Sequence, residues 1–331
     1  MVLAAQSVVQ KAVPMRRRAF LLSTASAAVG LTLAACSSGE SSSGASGSSD
    51  AGGASDGGGS GSGITVVAST NVWGDLAATV GGDQVDVTSL ISSPDADPHE
   101  YEASTRNQLA LSKAAIVIEN GGGYDDFIDR MLTTAKNTSA TVINAVYISG
   151  YTAADGEELN EHVWYDFPTV KKVVDAIAEA LGTADAAHQD TYTANAQALH
   201  TKLDELVQTE ADLKASDNGK SVAITEPVPL YMLDAIGLVN KTPEEFSEAI
   251  EEGDDVPAAV LNDTLTLFTD KSVDLLAYNE QTTGPQTDAV LKAAQDNGVP
   301  VIGVTETLPE GKDYVTWMSD NLSAIGDALG T

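Results

Sequence analysis

The chain has 331 residues, of which 48 are acidic and 17 are basic, so its formal net charge near neutral pH is -31. A surface this acidic repels the phosphates of nucleic acids and of anionic lipid headgroups, so we expect no nucleic-acid partner. The only cysteine, Cys36, allows no disulfide within one chain and leaves no second thiolate for a metal site or for catalysis.

The first 36 residues have the organisation of an export signal. Arginines at 16–18 precede an apolar run at 19–33, and small residues follow before Cys36. The run is too short and too rich in small residues to span the ~30 Å hydrocarbon core of a membrane as a permanent helix. Residues 33–36, Leu-Ala-Ala-Cys, resemble the lipobox of bacterial lipoproteins, which implies cleavage before Cys36 and a lipid on its sulfur. We therefore expect a protein anchored by lipid to the outer face of the cell membrane.

Two features of this signal allow more than one interpretation. The sequence Arg-Arg-Ala-Phe-Leu at 17–21 also resembles a twin-arginine signal, which directs the export of folded proteins, so both export routes stay open. Met15 directly precedes the arginines, and we expect it to be the true start of the protein.

Composition separates a tether from a folded body. Residues 37–63 are mostly Ser, Gly and Ala with no aromatic side chain, so they bury too little surface to fold. A flexible chain of ~27 residues reaches on the order of 30 Å. Residues 64–331 are numerous enough for two domains.

Within this body, β-rich runs alternate with segments of helical periodicity. The predicted strands are 64–68, 84–91, 115–118, 141–148, 221–225, 273–278 and 299–304. The predicted helices include 109–113, 124–135, 170–181 and 287–296. This alternation predicts an α/β fold with mostly parallel sheets flanked by helices.

One long helical pattern interrupts this alternation. It runs from residue 185 to about 214 without Gly or Pro, and its apolar residues recur at helical steps. At about 1.5 Å per residue it would extend about 45 Å. We predict that 185–216 is a backbone helix joining an N-terminal lobe, 64–184, to a C-terminal lobe, 217–331. A long helix within one domain is the alternative.

Potential metal ligands share one position in this pattern, at or beyond the carboxyl end of a predicted strand: His99, His162, Glu226 and Glu306. Open α/β sheets place their ligand sites at these strand ends. Two of the four residues belong to each predicted lobe. A cleft between the lobes would therefore bring two imidazoles and two carboxylates together.

The chemistry of this set suits a borderline divalent transition metal. Imidazole favours zinc and similar ions, carboxylates favour harder ions, and two carboxylates neutralise a divalent charge. Asp166 and Glu280 are candidates to hold an imidazole through its other ring nitrogen. His188 and His200 are twelve residues apart, which is not a metal-binding spacing on a helix, so we expect both at the surface.

Several segments of the body resemble the substrate-binding proteins of bacterial zinc and manganese ABC transporters. They are 67–70 with 80–83, Asp-Pro-His-Glu-Tyr-Glu at 97–102, Glu-His-Val-Trp-Tyr-Asp at 161–166 and Gly-Val-Pro-Val at 298–301. The resemblance implies two lobes joined by one long helix, with His99 and His162 as ligands from the first lobe and Glu226 in the region of the third. It also implies an ABC transporter permease as partner, and we expect a monomer.

The sequence departs from the family pattern in ways that bear on the metal. Glu306 stands where the family usually has Asp, and the His-rich acidic loop of many zinc members is missing. Glu226 stands where zinc members usually have His and manganese members Glu. The missing loop and Glu226 favour manganese, whereas intrinsic affinity favours zinc at almost any such site, so zinc and manganese both stay open.

Two other functions are compatible with parts of this pattern. Two histidines and a carboxylate with an open position could form a zinc-dependent hydrolase site, although the chain has no HExxH motif and no nucleophile elbow. A metal chelate could be the ligand of the same two-lobed plan, but the chain has few Arg and Phe to contact it. We predict a metal-binding transport protein and not an enzyme.

Overall fold

The computed structural model describes residues 63–93, 101, 104–153 and 159–331. Contacts along the chain divide it into Met1–Gly58 and Gly59–Thr331, and every described residue lies in the second unit. The expected export signal, Cys36, nearly all of the tether and His99 lie outside the described residues.

Four parallel strands form the sheet of the N-terminal lobe, in the order β2-β1-β3-β4: β1 (Ile64–Thr70), β2 (Val85–Ile91), β3 (Ile116–Glu119) and β4 (Thr141–Asn144). The helices of this lobe are α1 (Asn71–Gly81), α2 (Thr105–Lys113), α3 (Phe127–Ala135), α4 (Ala145–Ser149) and α5 (Phe167–Ala184). Every residue of β3 is buried, as expected for a parallel strand covered by helices on both faces of the sheet.

The C-terminal lobe repeats this plan with a second parallel sheet in the order β6-β5-β7-β8: β5 (Ser221–Ile224), β6 (Val239–Asn240), β7 (Leu275–Asn279) and β8 (Val301–Val304). Its helices are α7 (Leu230–Ile236), α8 (Glu244–Glu251), α9 (Ala258–Thr269), α10 (Pro285–Asp296) and α11 (Tyr314–Leu329). The two parallel sheets flanked by helices confirm the predicted fold class.

The predicted strand at 141–148 is wrong in its second half. The strand ends at Asn144 and the chain turns directly into α4. The side chain of Asn144 accepts a hydrogen bond from the backbone N–H of Tyr147 at 2.8 Å, which caps the new helix. The apolar residues at 145–148 therefore belong to a short helix, whose period a four-residue run cannot reveal.

A helix of 29 residues, α6 (Gln189–Asp217), connects the lobes. Its predicted start at 185 is four residues too early. The side chain of Asp185 accepts a hydrogen bond from the N–H of Ala187 at 3.1 Å, which favours a 3₁₀ turn at Ala186–His188 ahead of the α-helix. The predicted apolar face of α6 is buried through Tyr192, Leu199, Leu203 and Leu206.

One continuous apolar core extends through both lobes and α6. It includes Trp73 of α1, Phe167 of α5, Leu203 of α6 and Met318 of α11, all fully buried. Polar contacts also cross between the lobes. Asn71, at the start of α1, exchanges two hydrogen bonds of 2.9 Å each with the backbone of Leu308. The lobes are therefore packed against each other, with their strand ends facing one region.

Within the described part of the chain, none of the helices combines the length and the apolar character that crossing a bilayer requires.

We expect Leu203→Ala to lower the free energy of unfolding by about 2–5 kcal/mol, because it leaves a cavity where α6 contacts the shared core. Gln197→Ala, at an exposed position of the same helix, should change it by less than about 0.5 kcal/mol. Denaturant titration monitored by circular dichroism measures both. Equal effects of the two substitutions would contradict the assignment of Leu203 to the core.

A buried acid on the same helix predicts a pH dependence. Burial raises the pKa of Glu210 to about 8, and repulsion from Asp166 adds to this effect. Because the unfolded chain releases this proton near pH 4.5, the folded state loses stability as pH rises from about 5 to 8. Glu210→Gln should remove this loss, so its stability relative to the wild type should be higher at pH 8 than at pH 5. Denaturation curves at both pH values measure the free energies of unfolding. If the difference between the variant and the wild type were the same at pH 5 and at pH 8, Glu210 would not be buried as an uncharged carboxyl.

Candidate metal centre

His162 is fully buried at the start of a 3₁₀ turn, Val163–Tyr165, that leads into α5. The side chain of Asn160 fixes its position. The Oδ1 atom of Asn160 accepts the backbone N–H of His162 at 3.0 Å and lies 2.8 Å from its ring Nδ1. An amide oxygen is only an acceptor, so Nδ1 carries the proton and Nε2 has the lone pair that a metal requires.

Aromatic rings hold the imidazole in place. The ring of Trp164 contacts it edge-on with centroids 5.0 Å apart, and the ring of Tyr124 does so at 6.1 Å. Tyr124 and Trp164 also contact each other at 5.0 Å. The ring of His162 therefore has a fixed orientation before any ligand arrives.

Glu226 and Glu306 reach the same region from the C-terminal lobe. Glu226 follows β5 and Glu306 follows β8, and they are only 3% and 1% exposed. The strand between these two is β7, which ends at Asn279. The side-chain amide of Asn279 donates to Glu226 Oε2 and, at 3.0 Å, to Glu306 Oε1. The order of strands in the sheet thus places one amide donor between two carboxylates.

The two lobes meet at the Nε2 atom of His162. Glu306 Oε2 lies 3.9 Å from it, and the same carboxylate oxygen accepts a hydrogen bond from the hydroxyl of Tyr124 at 3.2 Å. Burial, with the charge of Glu306 adding to it, raises the pKa of the Tyr124 hydroxyl well above its usual value. Tyr124 therefore stays protonated and donates to Glu306.

Glu251, the last residue of α8, is a further carboxylate at this point that the sequence did not single out. Its Oε1 atom lies 3.5 Å from Nε2 of His162, and its side chain is 16% exposed. Two atoms bonded to one tetrahedral metal ion lie about 3.4 Å apart, given bond lengths of about 2.1 Å. The spacing of His162 and Glu251 matches this value, so one divalent ion fits between these two atoms.

Neither predicted supporting residue holds the ring of His162, because Asn160 takes that role. Asp166 instead caps α5 by accepting the backbone N–H of Thr169 at 3.1 Å. Glu280 is exposed, and its carboxylate lies against Gly303 of β8, where an added Cβ would come within 2.3 Å of Oε1.

The histidines near α6 lie outside this centre. His188 pairs with Asp185 at 2.5 Å and is half exposed, as predicted for a surface residue. His200 contradicts the prediction, because its side chain is only 17% exposed and its Nε2 lies 3.0 Å from Asp175 of α5. It lies in the contact between two helices.

Comparisons with known proteins identify the family of the chain. The sequence model of the family described as zinc-uptake complex component A, periplasmic, matches residues 66–328. The manganese-binding lipoprotein MntA of Halalkalibacterium halodurans is 24% identical over 81% of this chain and 89% of its own. The zinc-binding lipoprotein AdcA of Streptococcus pneumoniae R6 is 23% identical over 74% of this chain and 52% of its own.

A solved structure has the same fold. The crystal structure of ZnuA superposes with a TM-score of 0.68 at 22% identity, covering 80% of this chain and 99% of its own. Its likeness and the family match together span both lobes and the connecting helix. The chain therefore belongs to the family of periplasmic zinc-uptake complex component A.

Proposed function

We propose that the protein is an extracytoplasmic solute-binding protein that captures a divalent transition-metal ion, zinc or manganese, and delivers it to an ABC transporter permease. The observation that carries this function is the meeting of the lobes at a single buried nitrogen. Nε2 of His162 lies 3.9 Å from Glu306 and 3.5 Å from Glu251, both of the opposite lobe. A cation bound there would join the lobes through its own coordination.

The proposed ligands are His99 and His162 from the N-terminal lobe and Glu226 and Glu306 from the C-terminal lobe. Two neutral imidazoles and two carboxylates give the charge balance that a divalent ion needs when it leaves water. Both glutamates are nearly fully buried, and both accept a hydrogen bond from the side-chain amide of Asn279. Buried carboxylates at such close range repel, and a divalent cation would remove this repulsion.

The lobes in this proposal are 64–184 and 217–331, joined by the segment 185–216, nearly all of which belongs to α6. The chain's residues bind and orient the ion, exclude water from it and release it, and no bond of a substrate is made or broken. Closing the cleft on the ion would distinguish the loaded protein from the empty one for the permease. The binding function is supported by relatives whose names state metal binding.

The identity of the metal rests on the ligand types. Glu226 in place of a third imidazole provides an oxygen ligand, which suits manganese better than nitrogen does. One relative is named for manganese and another for zinc at nearly equal identity, so similarity does not separate the two ions. We propose that the site accepts both ions and that supply decides which one it carries.

The attachment of the protein follows from the other end of the chain. We propose that Cys36 carries the lipid that holds the protein at the outer face of the cell membrane, and that the tether at 37–63 lets the body, as a monomer, reach the permease. This part of the proposal rests on the sequence of the signal region.

We expect His162→Ala to weaken the binding of zinc and of manganese more than about 100-fold, because loss of residues that merely support a ligand already costs 10–100-fold. Competition with a chromophoric chelator measures the affinity, and His99→Ala should show a similar loss. His188→Ala is the matched control, since its half-exposed ring pairs with Asp185, and this variant should bind metal normally. Unchanged affinity in His162→Ala would place the metal elsewhere.

We expect Asn279→Ala to weaken metal binding by about 10–100-fold, because it removes the donor that positions both Glu226 and Glu306. The exposed Asn262→Ala on α9 serves as control. Isothermal titration with each metal measures the affinity, and circular dichroism checks the fold. If Asn279→Ala bound metal as tightly as the control, the carboxylates would not depend on this amide.

A further inference from the structure

A second group of metal-binding atoms lies next to the proposed ligands. Glu161, His162 and Glu251 each offer one ligand atom, and these atoms all lie within 4.8 Å of one another. Asn120 holds the backbone of Glu161 by donating its side-chain N–H to the carbonyl at 2.9 Å. Glu161 belongs to the N-terminal lobe and Glu251 to the C-terminal lobe. The imidazole of His162 lies close to Glu306 as well.

The two groups differ in their access to solvent. A cavity of about 870 Å³ has Glu161 and Glu251 among its described lining residues, but neither Glu226 nor Glu306. Five glutamates and no lysine or arginine belong to that described lining: Glu161, Glu244, Glu248, Glu251 and Glu252. Such a lining concentrates cations from solution. An ion entering from the cavity would reach Glu161 and Glu251 before it reached Glu306.

The position of Glu251 at the end of its helix favours a bound cation. Helix α8 ends at Glu251, with Glu248 one turn before it and Glu252 at the C-cap. The C-terminal end of a helix carries partial negative charge, so carboxylates there lower the stability of the helix. Glu248 and Glu251 are also three residues apart, where like charges repel. A divalent cation at Glu251 would relieve both effects.

We propose that Glu161, His162 and Glu251 form an outer capture position for the divalent cation, from which the ion passes to Glu306 by exchanging carboxylates at Nε2 of His162. This inference rests on the proposed function. Nε2 faces Glu251 at 3.5 Å and Glu306 at 3.9 Å, so the ion keeps one bond while the other changes. The partly exposed outer position lets the ion lose its water in steps.

Stopped-flow tryptophan fluorescence tests this proposal on the purified full-length protein mixed with Zn²⁺ alone or Mn²⁺ alone. Trp164, against the ring of His162, is the expected reporter. Glu251→Gln should lower the association rate constant about tenfold, at the low end of charge-focusing effects. A transient binding position accelerates both the association and the dissociation of the ion. The dissociation constant of Glu251→Gln should therefore differ from that of the wild type by less than about threefold.

Glu244→Gln is the matched control, since it removes the same charge from the cavity lining at the exposed start of the same helix. It should slow association less than Glu251→Gln does. Added salt should abolish the rate effect of Glu244→Gln but not that of Glu251→Gln. Equal association rate constants in the two variants would mean that the acidic lining acts only through its total charge, which would overturn the outer position. Weaker affinity with an unchanged association rate would make Glu251 a permanent ligand and overturn it as well.

Failure of the outer position and failure of the proposed function give different results. If the wild type binds metal, His162→Ala does not, and Glu251→Gln changes neither rate nor affinity, only the outer position is wrong. If the wild type binds neither ion, both are wrong. Circular dichroism checks the fold of Glu251→Gln. If this variant does not fold, Glu161→Gln replaces it in the test, with the same expected effect on the association rate.

Discussion

The side chain of Asn160 connects the buried imidazole to the opposite lobe. Its oxygen fixes the backbone and the ring of His162, while its Nδ2 donates to the carbonyl of Pro227 at 3.2 Å, directly after Glu226. Its own carbonyl accepts the hydroxyl of Tyr231 of α7 at 2.7 Å. One residue thus sets the tautomer of His162 and also contacts the opposite lobe.

The second sheet contributes the opposing charge through its strand order. Because β7 lies between β5 and β8, the ends of these three strands are neighbours, and Asn279 bridges Glu226 and Glu306. Gln281, two residues later, accepts the backbone N–H of Glu306 at 2.5 Å. Neutral amides therefore position the acids without cancelling their charge.

Rigidity is uneven around the centre, and this suits a carrier. The ring of His162 lies among Tyr124 and Trp164 in a core that extends through α6, and Glu306 is held by Tyr124 and Asn279. Glu251, by contrast, lies at the end of an eight-residue helix beside an acidic cavity. A carrier must bind an ion firmly and also release it, so a rigid inner group beside a more exposed carboxylate provides both properties in one cleft.

The sequence by itself predicted the α/β class, the long helix and most of the strands, because apolar periodicity and helix breakers are local properties of the chain. It missed the two-residue strand β6, which is too short to show a period. It also placed Glu226 and Glu306 near each other, since each follows the end of a strand in one parallel sheet. His162 was expected at a strand end as well, but it follows β4 only after α4 and a loop. Only the tertiary structure identified Asn160, Asn279 and Glu251. An asparagine in a loop, one at the end of a strand and one glutamate among 48 acids carry no local signal. Asn279 acquires its role from residues 27 and 53 positions away in its own sheet, and Glu251 acquires its role from a contact between the lobes.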